Sequence, residues 1–149
     1  MGITIHQPGK QDEAEWRRLW GLYLTFYETE LPDEIFRSTW ARLLTNGEDG
    51  IYGLIAKEDN GKALGIVHYL YHPSCWTLEQ VCYLQDLYVD AGTRGKGVGR
   101  ALIEAVYSAA DRENRGRVYW TTHDHNTQAR HLYDQVASVT RFIKYNRQR

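Results

Sequence analysis

Arg94 to Arg100 reads Arg-Gly-Lys-Gly-Val-Gly-Arg, three cations and three glycines in seven consecutive residues. Glycines let main-chain N–H groups turn inward with no Cβ in the way, and the cations neutralise negative charge. This stretch therefore suits capture of an anion, a pyrophosphate above all. Two nucleotide signatures can be tested against the letters. A dinucleotide fingerprint counted from Gly95 needs glycine at the sixth place, where Arg100 stands; a Walker loop needs Ser or Thr after Gly-Lys, where Gly97 stands. Neither fits. What remains is a phosphate loop of another kind, or a solvated helix start with ordinary turn glycines.

The elements around the loop decide between these. A β-rich run from Leu78 to Val89 leads into it, and Val98, Leu102, Val106 and Ala109, with Ile103 and Ala110, follow at helical spacing as far as Asn114 and Gly116. The loop therefore sits between a strand and a helix N-terminus, whose unpaired amides add positive potential. Upstream, Ile3 to His6 alternates as a short strand. Asp12 and Glu15 have capping-box spacing, and Trp16, Leu19, Trp20, Tyr23 and Tyr27 form the stripe of a first helix. Pro32 opens a second helix through Phe36, Trp40, Leu43 and Leu44. Ile51 to Ala56 and Ala63 to Tyr71 flank Asp59-Asn60-Gly61 as a hairpin. After the third helix come a strand from Val118 to Thr122, a helix from Asn126 to about Val136 and a last strand near Val139 to Tyr145. This order puts helices on a mixed sheet, the α/β class, or α+β in stricter terms, with a strand, helix, strand unit over residues 81–122.

At 149 residues the chain has the length of a single domain, 1–149, and 42% hydrophobic content is enough to bury a core. Neither a membrane-spanning run nor a secretory signal is read, so a cytoplasmic location is the expectation. A net charge of −1 supplies no overall field for nucleic acid or an anionic membrane, so an anionic ligand must be met by a local patch. Cys75 and Cys82 lack partners at metal-ligand spacing, and no metal is expected. His123 and His125 are read as surface residues.

The loop residues Arg94-Gly95-Lys96-Gly97-Val98-Gly99 resemble the Gln/Arg-x-x-Gly-x-Gly/Ala motif of the GNAT superfamily of acetyl-CoA-dependent N-acetyltransferases. They follow the strand Leu87-Tyr88-Val89 and precede the helix Ala101-Leu102-Ile103, as in that superfamily. Asn126, Ala129 and Leu132-Tyr133 resemble its second signature, Asn-x-x-Ala-x-x-Leu-Tyr. Two signatures in the right order are far more specific than one. The resemblance implies a mixed, mostly antiparallel sheet with a splayed central strand and about four flanking helices.

It also implies roles. Amides from Gly95 to Arg100 would hold the CoA pyrophosphate, assisted by the Arg94, Lys96 and Arg100 side chains. Main-chain groups of Leu87, Tyr88 and Val89 would meet the pantetheine arm, and Leu87 N–H would polarise the acetyl carbonyl. Asn126 and Tyr133, seven residues apart on one helical face, would both point at acetyl-CoA, with Tyr133 protonating the departing thiolate. Tyr83-Leu84-Gln85-Asp86-Leu87-Tyr88-Val89 looks like the Tyr-Leu-Glu-Asp-Phe-Phe-Val of diamine and thialysine acetyltransferases, whose Glu is a candidate base. Gln85 cannot take a proton, so Asp86 is the first candidate, with Glu28, Glu30 or a water relay as the others.

Glu28, Glu30, Asp33 and Glu34 crowd the junction of the first two helices, which lines the acceptor pocket in this superfamily; the alternative is a solvated loop. The expected function is acetyl transfer to a small primary amine, such as a polyamine or an amino acid, by direct attack through a tetrahedral intermediate, with Glu28, Glu30 and Gln85 on the acceptor side. A protein or histone lysine acetyltransferase and a non-catalytic acyl-CoA-binding module are the alternatives. Superfamily members often pair as homodimers, and Tyr69, Tyr71 and Trp76 are candidate edges for that.

Overall fold

A computed structural model describes residues 2–148. Five strands, β1 (Ile3–His6), β2 (Tyr52–Glu58), β3 (Ala63–His72), β4 (Val81–Val89) and β5 (Val118–Tyr119), form one sheet in sequence order. The first three junctions are antiparallel, and β4 pairs with β5 in parallel. The helices are α1 (Glu13–Phe26), α2 (Asp33–Leu43), α3 (Val98–Arg112) and α4 (Thr127–Val136). The mixed, mostly antiparallel sheet with flanking helices is the architecture the sequence implied.

Each face of the sheet buries its own apolar layer. Trp16, Leu19, Trp20, Trp40 and Leu43 of α1 and α2 pack with Ile55, Ile66 and Tyr88. Val98, Leu102, Ile103 and Val106 of α3 pack with Val67, Tyr69, Cys82 and Leu84, and Leu132, Tyr133 and Val136 of α4 close over that layer. Leu102 is fully buried, so truncating it to Ala costs about 2–5 kcal/mol.

Strict alternation breaks in β4. His68 pairs with Asp86 while the next residue, Tyr69, pairs with Leu84, which leaves Gln85 as the extra residue of a β-bulge. Leu84 and Leu87 consequently share the α3 face, whereas Asp86 and Tyr88 turn toward α1. The strand is thus re-aimed where it reaches the loop.

Several expectations are corrected. The strand expected from Val118 to Thr122 pairs only at Val118 and Tyr119, so β4 and β5 part beyond Tyr83. Leu78 lies before β4 and is fully exposed. Residues 139–145 form no strand: Val139, Phe142, Ile143 and Tyr145 are exposed and find no ladder partner among the described residues. Asp12 and Glu15 make no capping box at the start of α1. The Asp12 carboxylate takes Gly9 N–H and Lys57 Nζ instead, and Glu15 takes Ala63 N–H and Arg18. Tyr69 is 3% exposed and Tyr71 half-buried beneath Arg115, so Tyr69 is no exposed edge, whereas Trp76 is exposed. Among the described residues no helix is long and apolar enough to cross a membrane.

Candidate active site

The parting of β4 from β5 opens the sheet where the glycine-rich loop begins. Asp90 N–H donates to Leu64 O at 2.8 Å. Main-chain groups of a strand alternate between its two sides, so Tyr88 also faces β3, while the N–H and C=O of Leu87 and Val89 face the open edge. Arg94 Nε donates to Val89 O on that edge at 3.1 Å, and its guanidinium stands 5.4 Å from the Tyr88 ring centre.

The loop then turns into α3. Gly95 and Gly97 have φ of +86° and +82°, left-handed values that favour glycine. The first bond of α3 runs from Ala101 N–H to Gly97 O, and no side chain caps the helix. The amides of Val98, Gly99 and Arg100 therefore lack intrahelical partners, and those of Gly95, Lys96 and Gly97 donate to no main-chain carbonyl among the described residues. A Cβ on Gly99 would stand 3.3 Å from Leu132 Cδ2, so α4 closes tightly over the loop.

A cavity of about 530 Å³ joins these parts. The loop lines it through Arg94, Gly95, Gly97, Val98, Gly99 and Arg100, and the open edge through Leu87, Tyr88 and Val89. From α4 and its N-cap come Asn126, Gln128, Ala129, His131, Leu132, Tyr133 and Gln135; from α1 and its C-cap come Tyr23, Phe26 and Tyr27. Two arginines stand in this wall and no carboxylate does. That electrostatic bias suits a polyanion with an apolar arm.

The α4 side holds one phenol suited to acid work. Burial, with a smaller contribution from Tyr27, pushes the Tyr133 pKa up to about 12, and its ring packs edge-on against Trp120. Asn126, the α4 N-cap residue, lines the cavity and donates from its amide nitrogen to Thr122 Oγ1 at 3.2 Å. The spacing of Asn126 and Tyr133 thus brings both to one cavity.

Asp86 is 9% exposed and stands behind the α1 side of the wall. His68 Nδ1 lies 3.0 Å from Asp86 Oδ2, and Trp16 Nε1 donates to His68 Nε2 at 2.9 Å. Burial first, then the Asp86 charge, raises the Tyr23 pKa far above a free phenol's. Tyr27 is raised by burial and by Asp86 as well, with Thr122 opposing.

Other expected residues stand apart. Glu28, Glu30 and Gln85 are exposed and are not in the cavity wall, and neither is the Lys96 side chain. His123 and His125 are exposed, although the His123 ring meets Tyr27 edge-on at 5.2 Å. No motif in the sequence singles out His68, and Trp16, Tyr23 and Tyr27 read there only as the stripe of a core helix. A titratable residue inside the apolar run Ile66-Val67-His68-Tyr69-Leu70 was the available signal for His68.

Residues 15–137 match the model of the acetyltransferase (GNAT) family. Over 146 residues the chain is 41% identical to the D-amino-acid N-acetyltransferase HPA3 of Saccharomyces cerevisiae, covering 97% of this chain and 90% of that protein. It is 29% identical over 145 residues to the N-acetyltransferase YhfO of Bacillus subtilis, covering 96% and 95%. Among solved structures, the fold is similar to AAC(6')-Iy in complex with a bisubstrate analogue, CoA-S-monomethyl-acetylneamine. That match has a TM-score of 0.85 and 21% identity over 100% of this chain and 99% of that one. A ribosomal-protein-alanine N-acetyltransferase from Brucella melitensis matches with a TM-score of 0.82 at 22% identity, covering 99% of each chain.

Proposed function

The chain belongs to the GNAT acetyltransferase family, and on that premise we propose that it transfers the acetyl group of acetyl-CoA to the primary amine of a small molecule. The observation that carries this reading is the cavity wall, where the glycine-rich loop, with its unpartnered amides, and two arginines line a space with no carboxylate in its lining. Acetyl-CoA fits that wall by charge, and when bound it supplies a thioester that an amine can attack.

The chain's own groups have separable tasks in this proposal. Amides from Gly95 to Arg100 hold the pyrophosphate, with Arg94 and Arg100 adding charge. Val89 main-chain groups meet the pantetheine arm along the open edge, and Leu87 N–H donates to the acetyl oxygen as it gains negative charge. Tyr133, kept protonated by burial, gives its proton to the departing sulfur. Asp86 is the base, acting from behind the α1 wall. Glu28 and Glu30, just beyond α1, draw the ammonium toward the mouth rather than binding it within the cavity.

An amino-acid acceptor is the most specific reading that the comparisons support, through HPA3 of yeast. The test is release of free thiol from acetyl-CoA across a panel of D- and L-amino acids, polyamines and a lysine peptide. The proposal expects turnover with a small amine and little with the peptide. Binding of acetyl-CoA without thiol release for any amine would refute it.

A further inference from the structure

The cavity is lined from both faces of the sheet, and its two sides differ in kind. The glycine-rich loop, the open edge of β4 and α4 supply the arginines, the unpartnered amides, Asn126 and Tyr133, the parts assigned above to acetyl-CoA. The remaining wall comes from the other face, where α1 lies, and it consists of three rings: Tyr23, Phe26 and Tyr27. Steps of three and four put these residues on one helical stripe, so they meet the cavity together. The Tyr27 ring centre lies 5.0 Å from Tyr23, 5.1 Å from Phe26 and 5.2 Å from His123. Phe26 touches Tyr27 edge-on and is 53% exposed. Three neighbouring rings, one of them half open, make an apolar surface that a bound molecule can cover.

Charge points the same way. The cavity lining holds no carboxylate, and Glu28 and Glu30, which follow α1, are exposed outside it. A polyamine carries a second ammonium beyond the reacting nitrogen, and in this cavity that charge would leave water with no carboxylate to pair it. An apolar side chain gains by leaving water against the same rings.

We propose that the acceptor is an amino acid with an aromatic or large apolar side chain, and that Phe26 and Tyr27 determine this choice by covering that side chain. The proposal rests on the acetyltransferase reading above and names its acceptor class. The two rings touch the acceptor and move no proton, so their effect lies in selection among amines. Rings that only held the end of α1 against His123 would affect every amine alike, whereas rings that cover the acceptor separate phenylalanine from alanine.

The test uses the full chain and measures kcat/KM at saturating acetyl-CoA for phenylalanine, leucine, alanine and putrescine, the amino acids in whichever enantiomer reacts. Phenylalanine and leucine should exceed alanine by at least about tenfold, the discrimination that added apolar atoms give in an apolar site, and putrescine should fall below alanine. Phe26→Ala and Tyr27→Ala should each cut the phenylalanine-to-alanine ratio by about tenfold. Leu22→Ala, on the same helix, 39% exposed and outside the cavity wall, should leave that ratio within about twofold. Phe26→Glu puts a carboxylate into the wall at a half-open position and should raise putrescine relative to phenylalanine by at least about tenfold. Calorimetric binding of acetyl-CoA by each variant verifies that the fold is kept. A wild-type preference for alanine or putrescine over phenylalanine, or a ratio unmoved in either ring variant, would overturn the proposal and leave the acetyltransferase standing. A wild-type chain that binds acetyl-CoA but acetylates no amine would overturn the acetyltransferase reading itself, a different result from the first two.

Discussion

Leu84 and Leu87 point to the same face of the sheet although three residues separate them on one strand. The extra residue between them, Gln85, makes this possible and turns Asp86 toward His68 and α1. A bulge of this kind decides which side chains of β4 face α3 and which face α1.

Gln85→Glu tests the consequence for the base. The position is exposed, so the substitution should leave stability within about 0.5 kcal/mol. With Asp86 as the base, kcat should stay within a few-fold of wild type. A gain above about tenfold, measured with the best amine, would move the base to position 85.

Tyr133→Phe removes the proposed acid. Turnover should fall by about 10- to 10⁴-fold while calorimetric affinity for acetyl-CoA changes little. Burial holds the phenol protonated up to about pH 12, so Tyr133 contributes no loss of activity between pH 8 and 10. Unchanged turnover in Tyr133→Phe would remove the residue from the mechanism.

Glu28 occupies a left-handed conformation, φ +54°, just after α1, where Thr29 N–H closes back on Leu24 O. A non-glycine residue there is strained, so Glu28→Gly should stabilise the fold by about 1 kcal/mol in urea unfolding. If Glu28 draws cationic amines to the mouth, the same variant should raise the amine KM at low salt, with the difference fading as salt is added. An unchanged amine KM at low salt would return Glu28 to a purely conformational role.

Asp12 and Glu15 shape the acid side of the stability curve. Burial alone would raise Asp12, but the Lys57 and Gly9 hydrogen bonds overcome it and hold Asp12 below its ordinary 3.8. Glu15 is held below 4.5, chiefly by Arg18. Both bind protons more weakly folded than unfolded, so their stabilisation is complete above about pH 5 and is lost as pH falls through their lowered folded values. Urea midpoints should therefore drop below pH 4. Lys57→Ala should lower stability at neutral pH and flatten that acid-side slope; an unchanged slope would contradict the assignment.

The sequence made the loop, its flanking strand and helix, and the Asn126–Tyr133 face legible because local periodicity and glycine chemistry determine them. It left out what depends on distant pairing. The apolar residues of 139–145 alternate like a strand, but a strand exists only when another offers a ladder. Asp12 and Glu15 have the spacing of a cap, yet the buried amide of Ala63 and the Lys57 ammonium compete for them more strongly. Trp16 and His68 share no local pattern; only the apposition of α1 and β3 links them to Asp86.

Acetyl-CoA binding, as proposed, depends on the loop amides gripping a diphosphate. Titrating acetyl-CoA into nitrogen-15-labelled protein and following the amide resonances of Gly95 to Arg100 measures this directly. Those signals should move together to the positions of strongly hydrogen-bonded amides, saturating with the calorimetric binding curve. Saturable binding with these six resonances unmoved would contradict it.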